Sequence, residues 1–391
     1  MPSCLSSMWT VTEAEREGLK RPLSLYIHVP FCRSKCPYCA FPSDLCREGD
    51  MDAYLSVLER DLAAWRFRAG GPLRFRTIYI GGGTPTVLPP RRWVDLLKIL
   101  DRYSHGSPEE FTVEANPESL SAEHLRLWQA WGVSRVSVGV QSLDDGILRW
   151  LGRIYNGNRA RWALAMTVDA GFAVSADLMF GLAGQDLRLW HQDLSNVLSL
   201  GVSHLSVYQL TIESQSRWGD SPPEGMADGY GQYRWAQLYL SRCGLDQYEV
   251  ASFALPGAAS RHNLAYWRRE NVIGVGPGAW GYLEGFRYAN EPDLGRYVAA
   301  LMEGLSTLAY SERLGGLAAA SEAAILALRT VWGIDIHDYG LRFGSEALDR
   351  LEAALRAMPE NCLRWSGQRV AFSAKGMRVA NSLWEMLLWD E

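Results

Sequence analysis

Six short runs rich in Val, Ile, Tyr and Phe alternate with helical patterns through the first 250 or so residues. The runs are Leu23–Val29, Thr77–Gly82, Glu110–Asn116, Arg135–Ser142, Val174–Leu182 and His204–Leu210. Each is short and apolar, as strands covered on both faces should be. Between them, Asp52–Phe67 carries apolar residues at helical spacing. Pro89-Pro90 leads into RRWVDLLKILDRY, which suits a first helical turn. Ser121 is placed to cap AEHLRLWQAWG, with Gly132 as its stop, and residues 158–170 and 187–200 complete the set. Repeated βα units imply a parallel sheet joined by right-handed crossovers. Six units suit an open sheet or a partial barrel, and periodicity does not choose between them.

After about Gly244 the alternation stops. YEVASFAL reads as one more strand, followed by a loop-rich segment, RHNLAYWRRENVIGVGPGAWGYLEG. From about Asp293 the pattern turns helical in DLGRYVAALMEG, SEAAILALRTVWG and SEALDRLEAALRAM. LRWSGQRVAFS predicts a hairpin turning at Ser366-Gly367, and a last helix spans about Ala374 to Leu388. The expected division is therefore an N-terminal extension (1–22), an α/β unit (23–250), a connecting segment (251–292) and a smaller, mainly helical, winged-helix-like C-terminal domain (293–391).

Composition narrows the class. Hydrophobic residues make up 48% and charged residues 21% of the 391, which excludes a disordered, collagenous or coiled-coil chain. The net charge of -5 offers no basic field, so no nucleic-acid partner is expected. The first twenty residues lack a basic and then apolar leader, and Leu194–Ile212 is too polar to span a bilayer. The expectation is a cytoplasmic protein without a transmembrane span, with peripheral membrane contact left open and either a monomeric or a homodimeric state.

Seven cysteines occur, and three of them, Cys32, Cys36 and Cys39, form CRSKCPYC directly after the first strand. An odd number with a tight triplet is not a secreted disulfide framework; it points to metal ligation in a reducing compartment. Three thiolates on one loop can bind three irons of a 4Fe–4S cubane, leaving the fourth iron open. The alternative is a structural zinc loop completed by Cys46 or His28. Cys4, Cys243 and Cys362 read as ordinary thiols.

C-x3-C-x2-C after the first strand of a βα array resembles the radical S-adenosylmethionine (SAM) superfamily. That resemblance implies a partial (βα)6 barrel in which SAM chelates the open iron. An electron from the cluster then cleaves the sulfonium to a 5'-deoxyadenosyl radical. Gly81-Gly82-Gly83-Thr84-Pro85-Thr86 resembles the superfamily's GGG-T-P segment, so Gly82, Gly83 and Thr84 are expected at the methionine part of SAM. By the same resemblance Glu114 binds the ribose hydroxyls, and Gln141, Arg153 and Asp177 contact the rest. Tyr26 packs near cluster and SAM, while His28 has an equal claim to a purely local hydrogen bond. Independently of the resemblance, polar residues at the C-terminal ends of parallel strands converge on one face.

YIHVPFCRSKCPYCAF, YIGGGTPT, VEANPESL, SVGVQS, LGR and VYQLTIE together resemble the coproporphyrinogen-dehydrogenase-like branch over most of residues 23–215. The dehydrogenase carries a further Cys two residues after the third ligand, where this chain has Phe41. His262-Asn263-Leu264-Ala265-Tyr266-Trp267 resembles the H-N-x-x-Y-W motif of that branch's heme chaperones. The resemblance implies heme at His262, with Tyr266 and Trp267 as a flat wall, because a neutral imidazole is a good axial ligand. The bland reading is that His262 caps a turn while Tyr266 and Trp267 anchor the barrel to the C-terminal domain. Trp280 stands where related sequences often show His. The expected function is binding of heme and its transfer from a heme donor to respiratory apoproteins. The alternatives are the dehydrogenase, or a radical methyltransferase or cyclopropanase, so SAM cleavage is left open.

Overall fold

The computed structural model describes residues 11–47 and 49–389, so Cys4 lies outside the described residues. Six parallel strands follow one another in chain order: β1 (Leu23–Val29), β2 (Phe75–Gly82), β3 (Glu110–Ala115), β4 (Arg135–Gln141), β5 (Ala173–Phe180) and β6 (His204–Gln209). Helix α1 (Glu13–Lys20) precedes them; α2 (Asp50–Ala69), α3 (Pro90–Tyr103), α4 (Ala122–Ala130), α5 (Asp145–Trp150), α6 (Gly157–Asp169) and α7 (Leu187–Ser199) lie between them, and α8 (Tyr230–Arg242) and later α10 (Leu294–Glu303) follow. Pro90 opens α3 and Ser121 Oγ caps α4 by accepting from His124 N, as the sequence leads one to expect.

The sheet extends beyond the six strands in both directions. On one side β8 (Ser252–Ala254) pairs antiparallel with β6, and β7 (Asp246–Glu249) pairs antiparallel with β8 at the edge. On the other, β9 (Val272–Val275) runs parallel to β1, followed by antiparallel β10 (Trp280–Leu283), β11 (Phe286–Asn290) and β12 (Leu308–Arg313). The segment expected to be loop-rich is therefore built of strands and one short helix, α9 (Arg261–Trp267). Its tight Gly turns hid the strands: Gly276 and Gly278 have positive φ, and Gly276 lies against the His28 carbonyl.

One further expectation is corrected by the strands themselves. They are not apolar on both faces. Leu25, Ile27, Ile78, Ile80, Val113, Val136, Val138, Ala176, Leu205 and Val207 are buried in the large core under the helices. The alternate positions Ser24, Thr77, Thr112, Ser137, Ser175 and Ser206 face the other way and are buried too. The concave side is thus a polar interior.

A second core cluster gathers Ala320, Leu328, Leu351, Val370 and Leu387 among others. It comprises α11 (Gly316–Leu328), α12 (Ile336–Ala357) and a three-stranded sheet of Ile334–Asp335, Leu363–Ser366 and Arg369–Phe372. The hairpin forms as expected, with Gly367 at positive φ. The expected last helix is instead two five-residue helices, Ala374–Arg378 and Ala380–Trp384, and a short 3-10 turn. Val379 at φ -121° and ψ 24° interrupts it. No helix among the described residues is long and apolar enough to cross a membrane.

Candidate functional site

A cavity of about 770 Å³ opens at the C-terminal ends of the parallel strands. Tyr26, Cys32, Cys36, Cys39, Gly82, Gly83, Thr84, Glu114, Gln141, Arg153 and Asp177 all line it, so the structure brings these eleven candidates into one place. It also adds residues that motif reasoning missed: Tyr38, Asn116, Glu118, Ser137 and Tyr208. The signal for Ser137 and Tyr208 was present, since each continues the period-two polar row of its strand.

The cysteine loop is fastened at both ends. Cys39 N donates to Cys36 O at 3.2 Å, closing a turn. Lys35 Nζ donates to the carbonyls of Phe41 (2.9 Å) and Ser43 (2.6 Å), while His28 Nε2 bonds the intervening Pro42 carbonyl at 2.7 Å. A carbonyl only accepts, so Nε2 carries the ring proton. Burial lowers the His28 pKa to about 4, leaving the ring neutral. Nδ1 is then an acceptor, and Tyr26 Oη donates to it at 3.0 Å. Both ring nitrogens are spent, which settles His28 on the local hydrogen-bonding alternative.

The glycines are explained by close packing. A Cβ on Gly81 would lie 2.7 Å from the Glu114 carboxyl carbon, one on Gly82 2.7 Å from the His28 ring, and one on Gly83 2.7 Å from the Phe31 carbonyl oxygen. Gly82 also has φ +111°.

Glu114 accepts from Tyr79 Oη (2.7 Å) and from the Gly82 amide (3.1 Å). Burial raises its pKa to about 7, with Asp177 adding repulsion. Asp177, held by Ser137 Oγ at 3.2 Å, is raised by burial to about 6. Gln141 sits in the left-handed region at φ 65°, where the β4–β5 register slips by a residue. Arg153 donates from Nη2 to Tyr38 Oη at 2.6 Å, but its Nε is buried without a partner. Glu118 Oε2 is orphaned in the same cavity. A buried guanidinium nitrogen and a buried carboxylate oxygen left unpaired together suit a ligand that brings both charges.

His262, Tyr266 and Trp267 do not line this cavity. They lie on α9, whose first turn is held by Glu110: its carboxylate accepts from Ser260 Oγ (3.3 Å), Arg261 N (2.8 Å) and His262 N (3.0 Å). The His262 ring is 1% exposed and stacks on Tyr79 at 5.0 Å, with Tyr26 at 6.5 Å and Tyr266 at 5.4 Å. Thr77 Oγ1 donates its one proton to Ser24, so His262 Nδ1 donates to Thr77 at 2.8 Å. Nε2 therefore carries a lone pair, buried and unpartnered. Burial lowers this pKa to about 3, so the imidazole is neutral. Trp267 packs under the Arg329 guanidinium at 4.1 Å. Trp280 is 51% exposed beside Tyr310 and also lies away from the cavity.

The sequence profile of the Radical SAM superfamily matches residues 26–194. A heme chaperone HemW of Bacillus subtilis (strain 168) is 31% identical over 377 residues, 94% of this chain and 99% of that protein. The chain belongs to the HemW family of the radical SAM superfamily. A HemW of Escherichia coli (strain K12) is 39% identical over 66% of this chain and 70% of its own length. A bovine mitochondrial radical SAM domain-containing protein 1 is 36% identical over 66% of this chain and 60% of its own length. The solved coproporphyrinogen III oxidase HemN of E. coli superposes with TM-score 0.81 at 21% identity, covering 96% of this chain and 93% of that one. HemN thus has the fold of the HemW-family chain from end to end.

Membership of the superfamily implies a 4Fe–4S cluster and SAM. The cavity's residues fit both. Cys32, Cys36 and Cys39 are free thiols on one wall. Among the described residues no three His, Cys, Asp or Glu side chains converge on one point as a single ion requires. Three thiols on one loop supply the three protein ligands of a cubane with one iron left open. Cys46 does not line the cavity; it packs against the large core.

Proposed function

We propose that this HemW-family protein is a heme chaperone that holds a 4Fe–4S cluster and SAM and passes heme to apoproteins of respiration. The observation that carries the reading is similarity over 94% of the chain to a relative named a heme chaperone. Phe41 in place of a further cysteine supports it over the dehydrogenase. Cys32, Cys36 and Cys39 hold the cluster, which supplies an electron and one open coordination position when bound. Arg153 Nε takes the carboxylate of SAM, Glu114 takes the ribose hydroxyls, and Gln141 and Asp177 line the remainder.

The heme assignment rests on His262 Nε2, a neutral nitrogen with an unused lone pair. In the structure that lone pair is covered. Heme ligation there therefore requires α9 to part from β2 and Trp267 from Arg329. The test is anaerobic heme titration of wild type and His262→Ala, following the Soret band with thermal melts as folding control. The expected result is loss of the band in the variant. Equal binding by both proteins removes His262 from the account, and absence of heme binding by wild type overturns the chaperone reading.

A further inference from the structure

Thr84, expected at the methionine end of SAM, lines the cavity and also presents its hydroxyl to the cysteine loop. Thr84 Oγ1 lies 3.7 Å from Cys32 Sγ in donor geometry, and Asn116 Nδ2 donates to the same oxygen at 2.9 Å. We propose that Thr84 is a positioning residue for the cluster: its hydroxyl hydrogen-bonds the Cys32 thiolate and raises the cluster's reduction potential.

The proton count sets the direction of both bonds. A threonine hydroxyl owns one proton and two lone pairs. Asn116 Nδ2 can only donate, so it occupies a lone pair and leaves the proton for sulfur. The main chain holds the hydroxyl there. Thr84 N donates to Phe31 O at 2.7 Å and Gly83 N to Val29 O at 2.8 Å, so the glycine segment is stitched to the residues just before Cys32. Thr84 is 3% exposed, and the 2.7 Å approach of a Gly83 Cβ position to the Phe31 carbonyl oxygen shows how close this packing is.

Electrostatics gives the sign. The reduced cluster carries one more negative charge than the oxidised one, and part of it resides on the thiolates. A donor at sulfur therefore stabilises the reduced form more, and the potential rises. Cys39 takes a backbone donor from Phe41, and neither Cys36 nor Cys39 has a side-chain hydroxyl donor among the described hydrogen bonds, so Cys32 is the ligand whose donor a substitution can remove.

This inference rests on the cluster reading above, and the experiment separates the two. Wild type, Thr84→Val, Thr84→Ser and Asn116→Ala are reconstituted anaerobically. Iron and sulfide are counted, the midpoint potential is read by EPR-monitored titration, and SAM affinity is measured on the same samples. Thr84→Val is expected to load cluster as wild type does, to shift to a more negative potential and to keep its SAM affinity. Thr84→Ser should restore the wild-type potential. Asn116→Ala, which frees the hydroxyl to rotate, should shift the same way by less, and it carries the test if Thr84→Val does not load. Equal potentials in all loaded proteins overturn the proposal and leave the cluster reading standing. An unchanged potential with weakened SAM binding returns Thr84 to the ligand. A wild type that takes up no iron and sulfide overturns both.

Discussion

On the proposed role of Glu114 at the ribose of SAM, a single buried carboxylate would sense its ligand. Burial and the nearby Asp177 raise its pKa to about 7, while Tyr79 and the Gly82 amide donate to it and partly offset the shift. The folded state thus holds a proton that the unfolded chain releases near its ordinary value of 4.5. The stability this group contributes is complete below about pH 4.5 and is lost as pH rises toward 7. Donation by ribose hydroxyls favours the ionised form, so SAM binding should expel the proton. We expect SAM affinity to increase with pH up to about 7 and then level off. Glu114→Gln should flatten that profile and weaken binding by about 1.5–3 kcal/mol, roughly ten- to hundredfold in Kd. Calorimetry in buffers of different ionisation enthalpy checks the proton release directly.

The cysteine loop is the element whose shape is held through its own carbonyls. Three successive carbonyls, those of Phe41, Pro42 and Ser43, are bound by Lys35 and His28. His28→Ala strands the Pro42 carbonyl and the Tyr26 hydroxyl, a cost of about 1–3 kcal/mol for each buried group left unsatisfied. His28→Gln offers one donor and one acceptor and should recover part of it. The readout is limited proteolysis of the apoprotein. Cleavage within residues 33–47 should be fastest in Ala, intermediate in Gln and slowest in wild type; equal rates would show that the loop needs no clamp. Helix α9 is set in the same way, by Glu110, a residue some 150 positions earlier. No local pattern in HNLAYW announces that partner, which is why the motif alone left its placement open.

At the scale of the molecule, Arg329 ties the second core to the barrel. It pairs with Glu249 at 2.9 Å, lies 4.1 Å from the Trp267 ring and gives its carbonyl to Val250 N at 3.1 Å. Glu249 is 2% exposed, so Arg329→Ala leaves a nearly buried charge unpaired at a cost of about 3–5 kcal/mol. The expected calorimetric outcome is a lower Tm with the transition split in two, as the α11–α12 unit uncouples from the sheet. A single transition at the wild-type temperature would show that other contacts hold the units together.

Much of this protein could be read along the chain. The six strands and the helix starts at Pro90 and Ser121 follow from local pattern, because strand ends and turns are decided by near neighbours; the eleven residues that share one cavity were named through the resemblance of their motifs to the radical SAM superfamily. The polar row on each strand was equally legible as a period of two, although the apolar character of the runs obscured it. Other features required the tertiary structure. The tautomers of His28 and His262 depend on partners that close only when distant strands pair. The contact of the Thr84 hydroxyl with Cys32 depends on where Asn116 comes to lie. Above all, α9 became the floor of the barrel and not a wall of its cavity, because Glu110, Thr77 and Tyr79 meet it through contacts more than 140 residues apart in sequence. Local sequence specifies which groups are present; long-range burial decides which of their atoms remain free to act.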